Sequence, residues 1–149
     1  MDKMLGGYQA LQIRLLNGRI FQKLLNKEPD AQYRSEQGKI LTILWKQELG
    51  CATATDIALA TGLANNTLTS MVKKLEEQGL VTIQPCTQDK RKKYISLTDL
   101  GWAQKEIGDC VSKELGEIFY QGFSDQEIRE FEAYQERIIS NLKAKENEI

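Results

Sequence analysis

The sequence contains no histidine, and among its 149 residues there are only three cysteines and two prolines. Without histidine the chain lacks the commonest general base and the commonest nitrogen ligand for transition metals. Cys51, Cys86 and Cys110 are odd in number, far apart and outside any C-x-x-C, so neither a disulfide framework nor a clustered zinc site is expected. No apolar run approaches the roughly 18 residues of a membrane-spanning helix. The opening Met1-Asp2-Lys3-Met4-Leu5-Gly6-Gly7 lacks the basic-then-apolar order of a signal peptide, so a cytoplasmic chain with no membrane partner is expected. Neither a Walker-type loop, nor G-x-G-x-x-G, nor G-x-S-x-G occurs. Nothing in the sequence asks for an enzyme, a metal or a cofactor.

An excess of positive charge is also missing. The net charge is -1 and the pI about 5.6, whereas nucleic-acid binders tend to be basic. Only a local basic patch reconciles this chain with nucleic acid. What is present is ordinary globular composition, 41% hydrophobic and 28% charged, which argues against disorder.

Helical periodicity runs through Leu11, Leu15, Leu16, Ile20, Leu24 and Leu25 and ends at Pro29-Asp30. Ser35 has the chemistry of an N-cap for a second helix carrying Ile40, Leu41, Ile43, Leu44 and Trp45, with Gly50 as its stop. Thr53-Ala54-Thr55-Asp56 has the shape of a capping box with Asp in place of Glu, opening a short helix. Thr61-Gly62-Leu63 is a turn, and a longer helix starts at Ala64 or Asn65 and stops at Gly79. A short helix, a glycine turn and a longer helix form a helix-turn-helix.

The alternating segments Leu80–Gln84 and Tyr94–Leu97 flank a polar loop and predict a hairpin, which in this place is a wing. Thr98-Asp99-Leu100-Gly101 restarts a helix that runs to about Gly122. Ser124-Asp125-Gln126-Glu127 then caps a last helix. The expected fold is mainly α with a small β-hairpin wing. A winged helix-turn-helix occupies 35–99, and helical dimerisation regions occupy 1–34 and 100–149. All of it forms one continuous compact unit. The outer apolar residues exceed what a winged-helix core can cover, which points to a second copy of the chain.

In the helix over about 65–78, Leu68, Met71, Val72 and Leu75 share one stripe, while Asn66, Thr67, Ser70, Lys73 and Lys74 share the other face. Short hydrogen-bonding side chains near the N-terminus, followed by cations, suit a helix in the major groove. There Asn reads adenine, Thr touches a thymine methyl and Lys holds phosphate. The plainer reading is a solvated amphipathic face. The neighbouring loop shifts the balance toward DNA. Across 65–93 six cations (Lys73, Lys74, Lys90, Arg91, Lys92, Lys93) face three anions, a local +3 that leaves -4 for the rest of the chain. The candidate contacts to double-stranded DNA are Thr53, Thr55, Asn65, Asn66, Thr67, Thr69, Ser70, Lys73, Lys74, Asp89, Lys90, Arg91, Lys92 and Lys93, with the wing at 82–97.

These segments resemble the multiple-antibiotic-resistance regulator (MarR) family, continuously from Ser35 to Gly101. The resemblance rests on Leu75-Glu76-Glu77-Gln78-Gly79-Leu80-Val81, on Asp89-Lys90-Arg91, and on Leu97-Thr98-Asp99-Leu100-Gly101, in the family's order and spacing. It implies a homodimer built from the terminal helices that reads a pseudo-palindromic operator, in most such cases as a repressor released by a small aromatic or anionic effector. It also implies that Arg91 enters the minor groove and that Asp89 orients the wing or pairs with that arginine. Two departures, Ser70 and Thr82-Ile83, stand where relatives often carry arginine, and both remove phosphate-contacting charge. An effector pocket would draw on Tyr8, Arg14, Trp45 and Tyr120, an aromatic wall with a cation. Cys86, beside the wing cations, and Cys51 are the candidates for a thiol switch, which needs an accessible, electropositive sulfur. The competing classes are a winged helix used as a protein adaptor and, last, an enzyme.

Overall fold

The computed structural model describes residues 4–89 and 91–149. Helix α1 spans Gly6–Asn26, α2 Gly38–Lys46, α3 Ala54–Thr61, α4 Asn65–Glu77, α5 Asp99–Phe119 and α6 Asp125–Glu148; strands are β1 Cys51–Thr53, β2 Val81–Pro85 and β3 Lys93–Leu97. The chain divides into two units, Met1–Leu115 and Gly116–Ile149. Among the described residues no helix is long and apolar enough to cross a membrane.

The first unit is built around a three-stranded antiparallel sheet in the order β1-β3-β2. Ile95 lies opposite Ala52 on one side and Ile83 on the other, and is almost fully buried. Strand β1 is an addition to the expected hairpin. Three residues are too few to show a period of two, and Cys51–Thr53 becomes a strand only because β3 offers it an edge. Gly50, at φ +66°, turns the chain into that strand, and its carbonyl accepts from Leu97 N–H at 2.8 Å.

The core is formed by Ile40, Leu41 and Leu44 of α2, Ile57 of α3, Leu75 of α4, Leu80, Val81 and Ile95. Gly101 sets how closely α5 lies against it. A Cβ there would collide with the Leu80 carbonyl, while the Gly101 carbonyl accepts from Trp45 Nε1–H at 3.0 Å. Thr98 fixes the same corner. Its hydroxyl donates to the Gly79 carbonyl at 2.6 Å and accepts from Gly101 N–H at 3.1 Å. The Leu-Thr-Asp-Leu-Gly segment is therefore a joint between the wing and α5.

Two expected caps differ. Ser35 is the first residue of a 3₁₀ turn, Ser35–Gln37, and its hydroxyl caps nothing; instead Gln37 Oε1 accepts from Arg34 N–H at 2.9 Å and Gln22 Oε1 from Ser35 N–H at 2.8 Å. Gln37 reaches back within the same turn, and Gln22 comes from 13 residues upstream. Thr53 does cap α3, accepting from Asp56 N–H at 3.1 Å, but the Asp56 side chain does not close the reciprocal half of the box. Aspartate is one methylene shorter than the glutamate that normally does so.

In the second unit α6 starts at a complete capping box, Ser124 with Glu127. Phe119, Tyr120, Phe123 and Phe131 form an aromatic group beneath its first turns, edge-on except for the tilted Phe119–Phe131 pair. Helix α6 has no buried residue, and Tyr134, Ile138 and Leu142 form an exposed apolar row at four-residue steps.

Candidate nucleic-acid interface

Helix α4 buries Leu68, Val72 and Leu75 and half-buries Met71, which matches the expected stripe. With that face fixed, Asn65, Asn66, Thr67, Thr69, Ser70, Lys73 and Lys74 are all exposed. Gly62, at φ +75°, ends α3 and turns the chain toward α4, and Gly79, at φ +80°, ends α4. No side chain caps the N-terminus of α4 at Ala64, so its first N–H groups face outward with the positive end of the helix dipole. One is satisfied locally, because Asn66 Oδ1 accepts from Thr67 N–H at 2.9 Å. The Asn66 amide NH₂ stays available to an acceptor outside the chain. Thr69 donates its hydroxyl to the Asn65 carbonyl at 2.8 Å, leaving its oxygen as an acceptor. Thr55 is exposed at the second position of α3, whereas Thr53 is half-buried and occupied as the cap.

The wing is closed at its neck by Cys86 N–H donating to the Lys92 carbonyl at 2.8 Å, and at its tip by Lys92 N–H donating to the Asp89 carbonyl at 3.0 Å. Asp89 Oδ1 accepts from Arg91 N–H at 3.0 Å and from Arg91 Nε–H at 3.2 Å. These two bonds hold the Asp89 carboxyl below the usual carboxylate range. They also orient an Arg91 side chain that is 92% exposed. Lys92 and Lys93 are exposed, and among the described residues Lys73, Lys74, Lys92 and Lys93 form no salt bridge. Lys90 lies outside the described residues. One expectation for the wing fails: the Cys86 side chain is turned inward and buried, so it lacks the access a thiol switch requires. Cys51 is half-buried and Cys110 exposed.

Of the candidate effector residues, Arg14 and Trp45 line adjoining spaces of the first unit. Arg14 lines a groove of about 530 Å³ with Arg19, Arg34, Lys39 and Glu36. Trp45 lines an adjoining cavity of about 220 Å³, which shares Asn17, Gly18, Ser35 and Lys39 with that groove. Tyr8 lines neither and is exposed on α1. Tyr120 belongs to the second unit, where its hydroxyl donates to Glu132 at 2.7 Å. The residue that sequence reasoning missed is Tyr33. It lines the Trp45 cavity, packs edge-on to Trp45 at 5.9 Å, and its buried hydroxyl has no protein partner among the described residues. Burial, with Asp109 second, pushes its pKa up to about 12. No periodic pattern surrounds Tyr33, so only the assembled fold reveals it.

A three-helix core, a helix-turn-helix with a bare N-terminus on its second helix, and a cationic hairpin define a winged helix-turn-helix protein. Residues 34–93 match the model of the MarR family. It is 24% identical over 102 residues to the HTH-type transcriptional repressor IacR of Pseudomonas putida, a match covering 68% of this chain and 61% of the repressor. The chain thus spans less than two thirds of that relative. Among solved structures it superposes on MepR of S. aureus in complex with DNA with a TM-score of 0.83 and 22% identity, covering 93% of this chain and 99% of that one. It superposes on BpsR of Bordetella bronchiseptica, whose DNA binding is regulated by 6-hydroxynicotinic acid, with a TM-score of 0.75 and 22% identity over 93% and 94% of the two chains.

Proposed function

We propose that the chain is a cytoplasmic, dimeric, sequence-specific DNA-binding repressor whose grip on its operator is released by a small anion. The observation that carries this reading is the division of α4: Leu68, Val72 and Leu75 pin one face, and the other offers Asn66, Thr67 and Ser70 ahead of Lys73 and Lys74. In the major groove the short residues reach base edges and the lysines reach phosphates. The wing supplies Arg91, held by Asp89, to the minor groove. Terminal helices within 1–34 and 100–149 make the dimer. Helix α1 contributes exposed Tyr8, Leu11 and Leu15 to it, and α6 contributes Tyr134, Ile138 and Leu142. Dimerisation places two copies of α4 on a pseudo-palindrome.

The effector enters between α1 and α2. Four cations line the groove there, and the Trp45 and Tyr33 rings wall the cavity beside it. That combination suits an aromatic carboxylate, with Lys39 shared by both spaces to meet its charge.

The test uses a duplex selected by the purified protein from a randomised pool, and an unrelated duplex of equal length. Asn66→Ala and Thr67→Ala should lose about 1–3 kcal/mol of discrimination per good base contact while barely changing affinity for the unrelated duplex. Lys73→Ala and Lys74→Ala should weaken both duplexes by similar factors. Equal losses on both duplexes from all four folded variants would refute the major-groove placement.

A further inference from the structure

Among the described residues two polar side chains are buried in the core, Gln37 at 3% exposure and Gln104 at 2%. Burying an amide costs free energy unless its donors and acceptor are bonded, and both are. Gln104 Oε1 accepts from Gln32 N–H at 2.8 Å and its Nε2 donates to the Asp30 carbonyl at 3.2 Å. Gln37 Oε1 accepts from Arg34 N–H at 2.9 Å, and its Nε2 donates to Gln78 Oε1 at 2.6 Å. Gln78 Nε2 donates onward to the Gln32 carbonyl at 3.0 Å. Gln78 is the C-cap of α4.

We infer that Gln37 and Gln78 are positioning residues for DNA reading: with Gln104 they form a glutamine relay that ties the C-terminal end of α4 to the segment 30–37 and to α5. This rests on the proposed DNA-binding role of α4. Apolar packing of Leu68, Val72 and Leu75 holds α4 against the core but is non-directional, so it does not by itself resist a slide or roll of about an ångström. The relay bonds are directional. They join residues 41 and 46 positions apart, so they fix α4 against chain that is remote in sequence. Helix α4 has 13 residues, about 20 Å at 1.5 Å per residue. It transmits a displacement at Gln78 to the base-reading turn as a nearly rigid rod. A shift of about 1 Å takes a hydrogen bond of about 2.9 Å beyond the range in which it counts as one. Base-edge contacts therefore depend on the relay, whereas phosphate contacts by long, mobile lysines tolerate the same shift.

The experiment uses the full chain carrying Gln78→Met, Gln37→Met and both together. Methionine keeps the length and bulk of glutamine and removes its hydrogen bonds. Discrimination between the selected and unrelated duplexes should fall about tenfold in each single variant. The double variant should fall no further than the worse single one, because both break one connected unit. Affinity for the unrelated duplex and the circular dichroism spectrum should not move. Gln78→Glu, which keeps the acceptor for Gln37 but loses the donor to the Gln32 carbonyl, should lie between wild type and Gln78→Met. It also serves as the probe if a methionine variant fails to fold. An unchanged discrimination ratio in folded variants, or equal weakening on both duplexes, overturns the relay while leaving the DNA-binding reading intact. A wild-type chain that enriches no sequence from the pool overturns both.

Discussion

Replacing Tyr33 by phenylalanine removes one oxygen from the interior and little else. The ring would keep its edge-on contact with Trp45 at 5.9 Å and its place behind Gly108, where a Cβ would come within 2.9 Å of the hydroxyl. The hydroxyl is buried with no protein partner among the described residues. Proteins lose about 1–3 kcal/mol on burying such a group unpaired, so Tyr33→Phe should stabilise the chain by up to that amount. At this size each kcal/mol moves Tm by about 2–4 °C, and the expected result is a rise of a few degrees in thermal unfolding followed by circular dichroism. The pH dependence gives a second reading. With its pKa raised to about 12 from an ordinary 10, the folded chain holds the Tyr33 proton more tightly than the unfolded chain does. That contribution is complete below pH 10 and is lost as the pH climbs from 10 toward 12. The variant has no such proton to lose, so its advantage over wild type should widen above pH 10. A Tm that falls by more than about 2 °C at neutral pH would show that the hydroxyl is well bonded in solution, and the argument from its burial would collapse.

Two further outcomes follow from the wing and from α1. Arg91→Ala should weaken operator binding and lower the slope of log affinity against log salt by about one per wing contact, with no change in Tm because the side chain is 92% exposed; an unchanged slope in a salt series would mean the wing does not touch DNA. Leu15→Glu, in the exposed apolar row of α1, should convert the dimer to a folded monomer in sedimentation velocity at micromolar concentration. A wild-type chain that already sediments as a monomer there would sink the dimer itself.

The parts of this molecule that sequence makes legible are those in which one segment decides its own structure. The stripe of Leu68, Met71, Val72 and Leu75 determines which face of α4 is exposed, and the Ser124 capping box marks the start of α6 to the residue. What stays hidden depends on partners far along the chain. Strand β1 exists because β3 pairs with it, and the N–H of Ser35 is held by Gln22, 13 residues upstream. Cys86 has the same neighbours in sequence as an accessible wing thiol would, yet the bond between its N–H and the Lys92 carbonyl closes the loop neck and the side chain turns inward. Tyr33 and the glutamines carry no periodicity at all. Their meaning comes from Trp45, Gln78 and Gln104, each brought to them by folding.

Net charge misleads for a related reason: it averages over segments that do different work. The stretch 65–93 carries +3, and helix α6 alone carries -3, with seven acidic residues against four basic ones over Asp125–Glu148. A polyanion is attracted to the first and repelled by the second, and at physiological salt each field reaches only about 8 Å. An approaching duplex therefore responds to the local segment and not to the total of -1. On the proposed function, the basic segment is the favourable landing site, and a duplex meeting α6 alone is repelled. On that proposal, a chain with a pI of about 5.6 can still meet DNA through a locally basic segment.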